Sequence, residues 1–99
     1  MVTRCASVDL AKFGIRVNSV NPGVVITELQ KRGGMDEEAY AAFLQHSVNV
    51  THPLAEAYGR CASPDEVAST ILFLASDASS FVTGTCVKSD GGRGNLGAR

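Results

Sequence analysis

The stretch "IRVNSVNPGVVITE", residues 15–28, decides the fold. Ile15 and Val17 alternate with Arg16 and Asn18, the period of a strand with one face toward a core, and residues 15–20 read as that strand. Asn21-Pro22-Gly23 stops the run. Pro22 has no N–H to continue a ladder, and Gly23 admits a tight turn with exposed backbone. The chain then resumes as Val-Val-Ile-Thr. Taken alone, Asn-Pro-Gly reads as a strand-ending turn; in a parallel α/β sheet, whose ligands bind beyond the carboxyl ends of the strands, it is also a candidate site.

Upstream, residues 1–13 read as a helix. Val2, Cys5, Ala6, Leu10 and Phe13 fall near one face, with Arg4 and Lys12 off it. Gly14 follows, suited to the left-handed conformation that closes a helix. Met1 enters mid-pattern without a cap, and the expectation is that this helix has its start elsewhere. Downstream, residues 36–47 read as a helix with Asp36 as cap and Ala39, Ala42, Phe43 and His46 on one face. Gly33-Gly34 before it and "NVTHPLAEAYGR" after it read as loop. Residues 63–77 carry the strongest local signal: Ser63 as N-cap, Pro64 at N1 and Glu66 three residues after the cap. Val67, Ile71, Leu74 and Ala75 make its apolar face. Residues 85–90, "TCVKSD", read as a second strand, ended by Gly91-Gly92. The order helix, strand, long crossover, strand makes the two strands parallel.

The 99 residues suffice for one domain, and a net charge of −1 argues against a nucleic-acid partner, which calls for a basic excess. The 44% apolar content argues against a disordered chain. No apolar run approaches the roughly 18 residues of a membrane span. No secretory signal opens the chain. Cys5, Cys61 and Cys86 are odd in number and widely spaced, which suits reduced thiols in a cytoplasmic protein rather than a disulfide framework. His46 and His52 match no metal-ligand spacing, so no metal is expected. Two strands alone make a poor parallel sheet, because such sheets are normally several strands wide and covered on both faces. The edge over residues 15–20 would be bare. The expectation is therefore part of a larger α/β domain.

"GIRVNSVNPGVVITEL" followed by "GRCASPDEVASTILFLASDASSFVTGTCVKSDGG" resembles the carboxyl-side part of a short-chain dehydrogenase/reductase, with a flavour of the 3-oxoacyl-acyl-carrier-protein reductases. The resemblance covers residues 1–92, leaving 93–99 as a frayed tail. It implies the last portion of a Rossmann-type, doubly wound parallel sheet. It implies NAD or NADP as cofactor and a small carbonyl or alcohol as substrate. Pro22 and Gly23 would shape the turn beside the nicotinamide, Val25 would offer backbone hydrogen bonds to the carboxamide, and Thr27 a hydroxyl. Residues 28–59 would be the variable substrate loop, with Leu29, Met35, Tyr40, Phe43 and Leu44 as candidate apolar contacts or, equally, core. Residues 64–92 would carry a homo-oligomer contact.

The sequence departs from that family's pattern in its chemistry-bearing parts. It contains no Thr-Gly-x-x-x-Gly-x-Gly loop to cradle a pyrophosphate. Tyr40 and Tyr58 are followed four residues later by Leu44 and Ala62, so neither belongs to a Tyr-x-x-x-Lys dyad. Residues 55–58, "AEAY", stand as an insertion before Gly59-Arg60, and Ala62 occupies a position where Gly is usual. The resemblance therefore implies an oxidoreductase family, no catalytic residue among these 99, and no turnover by this chain alone. An alternative is a non-catalytic module that pairs with full-length family subunits.

Overall fold

Helix α1 (Val2–Ala11) leaves through Gly14, whose φ of +72° only glycine adopts without strain. The Gly14 N–H donates to the Ala11 carbonyl at 2.9 Å and the Ile15 N–H to the Leu10 carbonyl at 3.3 Å, the paired bonds of a Schellman closure. The computed structural model describes residues 1–27, 33–34 and 36–96.

Strand β1 is Ser19–Pro22 and strand β2 is Cys86–Ser89; they pair in parallel, Ser19 with Cys86 through Pro22 with Ser89. The expected strand over 15–20 is thus displaced toward its carboxyl end. Residues 15–18 run without a ladder of their own because side chains occupy that place. The Val17 N–H donates to Thr83 Oγ1 at 3.1 Å, and Asn18 bonds the Val82 carbonyl at 3.0 Å and the Thr85 N–H at 3.2 Å. Pro22 sits inside the pair rather than ending it. The Ser19 and Gly23 N–H groups donate to the Thr85 and Ser89 carbonyls, so the odd-numbered residues face β2 and the ring nitrogen of Pro22 points away.

The crossover is more helical than its sequence suggests. Helix α2 (Glu37–His46) starts on Asp36, whose carboxylate accepts from the Ala39 N–H at 2.7 Å. It runs on into a π-helical turn at Ser47–Thr51, and helix α3 (Pro53–Tyr58) follows. The stretch read as loop is thus largely helix, and "AEAY" is the end of α3. Pro53 at its first turn and Gly59 at φ +70° just beyond it are its start and stop. Helix α4 (Pro64–Ala75) begins with the expected capping box: Glu66 Oε1 accepts from the Ser63 N–H at 2.9 Å and its hydroxyl at 3.2 Å. A 3-10 turn at Asp77–Ser79 leads toward β2, and another at Arg93–Asn95 follows it.

Among the described residues the buried set is Tyr40, Ala55, Cys61 and Leu74 with the polar Ser7, Ser47, Thr51, His52 and Ser79. Of the expected apolar face of α4 only Leu74 is buried, and Ile71, Leu72 and Phe73 remain exposed. A sheet two strands wide is narrower than the helix face laid against it. The radius of gyration, 16.2 Å, exceeds the about 13 Å of a compact domain this long. Hydrogen bonds do much of the organising. No buried side-chain nitrogen or oxygen among the described residues lacks a partner.

Arg16 supplies most of the order at the amino end of the strands. Its Nη1 donates to the Leu74 carbonyl at 2.8 Å, to Ser79 Oγ at 3.0 Å and to the Val82 carbonyl at 3.3 Å, and its Nη2 to the Ser76 carbonyl at 3.2 Å. The guanidinium shares these carbonyls with Ser79, whose hydroxyl also reaches Leu74 and Ser76, and with Asn18, which also reaches Val82. Gly84, at φ +74°, closes this end: a Cβ there would stand 2.7 Å from Ser7 Oγ on α1.

Candidate functional site

Pro22 is the last residue of β1, and Gly23, Val25 and Thr27 follow it beyond the strand's carboxyl end. Gly23 is the tightest point of the turn. A Cβ on it would come within 2.9 Å of His52 Nε2 and 3.0 Å of Asp90 Cα, so no larger residue fits without displacing the end of β2. Val25 makes a parallel bridge with Ala62, in which the Ile26 N–H donates to the Ala62 carbonyl at 2.9 Å. A parallel bridge of this kind uses the groups of the flanking residues. It leaves the N–H and C=O of Val25 itself facing the other way. One donor and one acceptor side by side complement a primary carboxamide, which offers an oxygen and an NH₂. The donor and acceptor of Val25 therefore suit the amide of a nicotinamide in their chemistry.

Thr27 is half-buried, and its carbonyl accepts from the Tyr40 hydroxyl at 3.0 Å. Tyr40, 7% exposed, pins α2 to the strand exit by that bond. Phe43 and Leu44 are half-buried on the same helix. The Phe43 carbonyl accepts from Ser47 Oγ at 3.0 Å, and the Leu44 carbonyl lies 3.9 Å from Cys61 Sγ. Leu29 and Met35 lie outside the described residues.

Two groups that sequence reasoning passed over complete the cluster. His52 is 6% exposed; its Nε2 accepts from the Val24 N–H at 3.2 Å, and its Nδ1 stands 2.8 Å from Thr51 Oγ1. The only signal for it was a His before Pro53, which names no role. Asp90 folds the chain after β2 through a pair of backbone contacts: Oδ1 accepts from the Gly92 N–H at 3.0 Å and Oδ2 from the Gly94 N–H at 2.9 Å. The Gly91 carbonyl in turn accepts from the Leu54 N–H at 2.9 Å, meeting one orphan donor of α3.

A cleft of about 410 Å³ opens beside these residues, with Val24, Leu54, Tyr58, Ala62 and Lys88 on its walls. Two of its charged lining residues, Arg60 and Glu66, pair with each other. Arg60 Nη1 lies 2.6 Å from Glu66 Oε1, and the guanidinium sits 5.6 Å from the Tyr58 ring centroid. The hydrogen bond from Arg60, helped by the Ser63 N–H, holds the Glu66 carboxyl down at about 2, and the same contact raises Arg60. Burial pushes the Cys61 thiol up, the opposite of an activated thiolate. Among the described residues no three of His, Cys, Asp or Glu gather to hold a metal, and no helix is long and apolar enough to cross a membrane. The arrangement orients backbone groups.

Residues 1–93 match the family model described as enoyl-(acyl carrier protein) reductase. The chain is 44% identical over 91 residues to a 2,5-dichloro-2,5-cyclohexadiene-1,4-diol dehydrogenase of Sphingobium indicum, covering 92% of this chain and 33% of that protein. It is 39% identical over 95 residues to an L-xylulose reductase of Caenorhabditis elegans, covering 96% and 34%. The crystal structure of a short-chain dehydrogenase/reductase of unknown function from Caenorhabditis elegans, solved with cofactor, superposes with a TM-score of 0.82 at 38% identity, covering 98% of this chain and 35% of that one. The chain thus spans about a third of the length of the relatives it matches. Its parallel pair corresponds to part of a Rossmann-type sheet.

Proposed function

Because the chain belongs to the short-chain dehydrogenase/reductase family, we propose that its strand-exit turn forms the carboxamide-binding wall of a nicotinamide site, in an oxidoreductase that interconverts an alcohol and a carbonyl. The observation that carries this reading is the Val25–Ala62 bridge, which turns the Val25 N–H and C=O outward beyond the carboxyl ends of two parallel strands. When bound, the nicotinamide supplies or accepts the hydride. The chain's own residues orient it. Gly23 lets the backbone approach, Val25 offers a donor and an acceptor, and Tyr40 fixes the Thr27 peptide so that the Thr27 hydroxyl is held nearby.

Proton transfer lies outside these 99 residues. A positioned acid or base contributes roughly 10²- to 10⁴-fold, and neither tyrosine has the lysine partner that the resemblance calls for. By this reading the chain alone orients nicotinamide without turning over substrate. The choice between NAD and NADP is left open by these residues, and the setting is cytoplasmic, consistent with three free cysteines. The test is an amide-resolved titration of the labelled chain with NADH and NADPH, alongside an absorbance assay with a panel of cyclic alcohols and ketones. A shift centred on Val25 and Thr27 without turnover is expected. Turnover above a no-protein control, or shifts that avoid the turn, would overturn it.

A second reading, that residues 64–92 pair with family subunits, is favoured by one observation. Leu72 is 69% exposed and Phe81 fully so, on a helix and turn that carry few charges. Co-expression with a complete relative followed by size exclusion tests it, and separate elution counts against it.

A further inference from the structure

His52 is buried at the joint between the π-helical turn and α3, and its hydrogen bonds have one consistent direction. A backbone N–H can only donate, so the Val24 N–H at 3.2 Å requires Nε2 without a proton. A neutral imidazole then carries its proton on Nδ1, where Thr51 Oγ1 receives it at 2.8 Å. The Thr51 hydroxyl donates onward to the Ser47 carbonyl at 3.4 Å, and the Ser47 hydroxyl to the Phe43 carbonyl at 3.0 Å. The chain of bonds therefore runs from Val24, at the turn, to the body of α2. The ring's own backbone is tied on both sides. The His52 N–H donates to the Ser47 carbonyl at 3.0 Å, and its carbonyl accepts from the Ala55 N–H at 2.9 Å. Gly23 is seated between this ring and the Asp90 backbone with no room for a methyl group.

We infer that His52 is a positioning residue for the strand-exit turn: protonated on Nδ1, its ring holds the Val24 N–H and thereby fixes the direction in which the Val25 peptide groups face. The order of the crossover, from α2 through Ser47–Thr51, is passed to Val24 through this ring, beside the separate bond from the Tyr40 hydroxyl to the Thr27 carbonyl. What the turn contacts rests on the nicotinamide reading above; that His52 holds the turn does not.

The test is nitrogen-resolved. In the ¹⁵N-labelled chain, long-range ¹H–¹⁵N correlations of the two imidazoles report which nitrogen is protonated, with the exposed His46 as internal reference. His52 should show a pyridine-type Nε2 and a pyrrole-type Nδ1. His52→Phe keeps a ring but removes the acceptor; His52→Gln places an amide oxygen where Nε2 stood. Loss of one hydrogen bond should speed Val24 amide exchange by about tenfold in His52→Phe while Val87 in β2 changes by less than about twofold. His52→Gln should restore most of the Val24 protection. A proton on Nε2, or unchanged Val24 exchange in His52→Phe, overturns the inference. Should His52→Phe fail to fold, the ring nitrogens of the unaltered chain still decide. An NADH titration forms the separate arm. The expected nitrogen signature without a Val25 shift supports His52's role while counting against the nicotinamide reading.

Discussion

The two ends of the parallel strand pair are held by different physics. At the amino end, long polar side chains reach across the fold: Arg16 gathers the carbonyls after α4, and Asn18 stands in for a stretch of ladder against residues 82–85. At the carboxyl end, closeness rules. Gly23 is wedged between an imidazole and the backbone of Asp90, and most of the remaining contacts are made by backbone groups. The first arrangement tolerates small shifts, because a guanidinium has several donors to redistribute. The second tolerates none, because bare backbone has no slack. The closest packing thus sits at the end where the proposed nicotinamide would meet the chain.

The sharpest way to break this contrast is to remove the amino-end clasp. Arg16→Met should cost about 3 kcal/mol, since bonds to a charged donor are worth about 1.5–3 kcal/mol, even though Ser79 and Asn18 still reach the same carbonyls. Urea unfolding should show it, with protection falling along all of β2. Gly23→Ala should cost about 2 kcal/mol by overpacking, but locally. Exchange should rise at Val24 and around His52 while Val87 is spared, and equal losses at both places would erase the distinction. Asn18→Ala should cost about 1 kcal/mol through two neutral bonds, seen as faster exchange at Thr85. The smallest effect concerns the rim of the cleft. Glu66 is held at about 2, below its ordinary value near 4.5. Its contribution is present in full above that ordinary value and is lost as pH falls toward 2, a window absent in Glu66→Gln. Because the Arg60–Glu66 pair is exposed to solvent, salt should shrink the difference.

Local signals were legible and distant ones were not. Gly14 as a helix stop, Asp36 as a cap and the Ser63/Glu66 box all stand where their residue types require, because each acts within four residues of itself. The parallel pairing followed from element order alone. Arg16 looked like the polar half of a strand alternation; its partners lie 58 to 66 residues away, beyond any local pattern. Helix α3 was missed although Pro53 and Gly59 bracket it, because six residues carry too little periodicity to separate helix from loop. His52 matched no ligand spacing, and its actual partners are a backbone N–H and a neighbouring hydroxyl, which leave no spacing to find.

Pro22 carries a consequence for the outer flank of β1. Since its nitrogen faces away from β2, the flank that could recruit a stray β-segment offers a donor at Val20 and then a blank. A segment pairing along that flank would find a carbonyl but no N–H at Pro22, one missing donor just short of the turn. The same ring that leaves the native pairing untouched thereby weakens outward pairing next to Gly23.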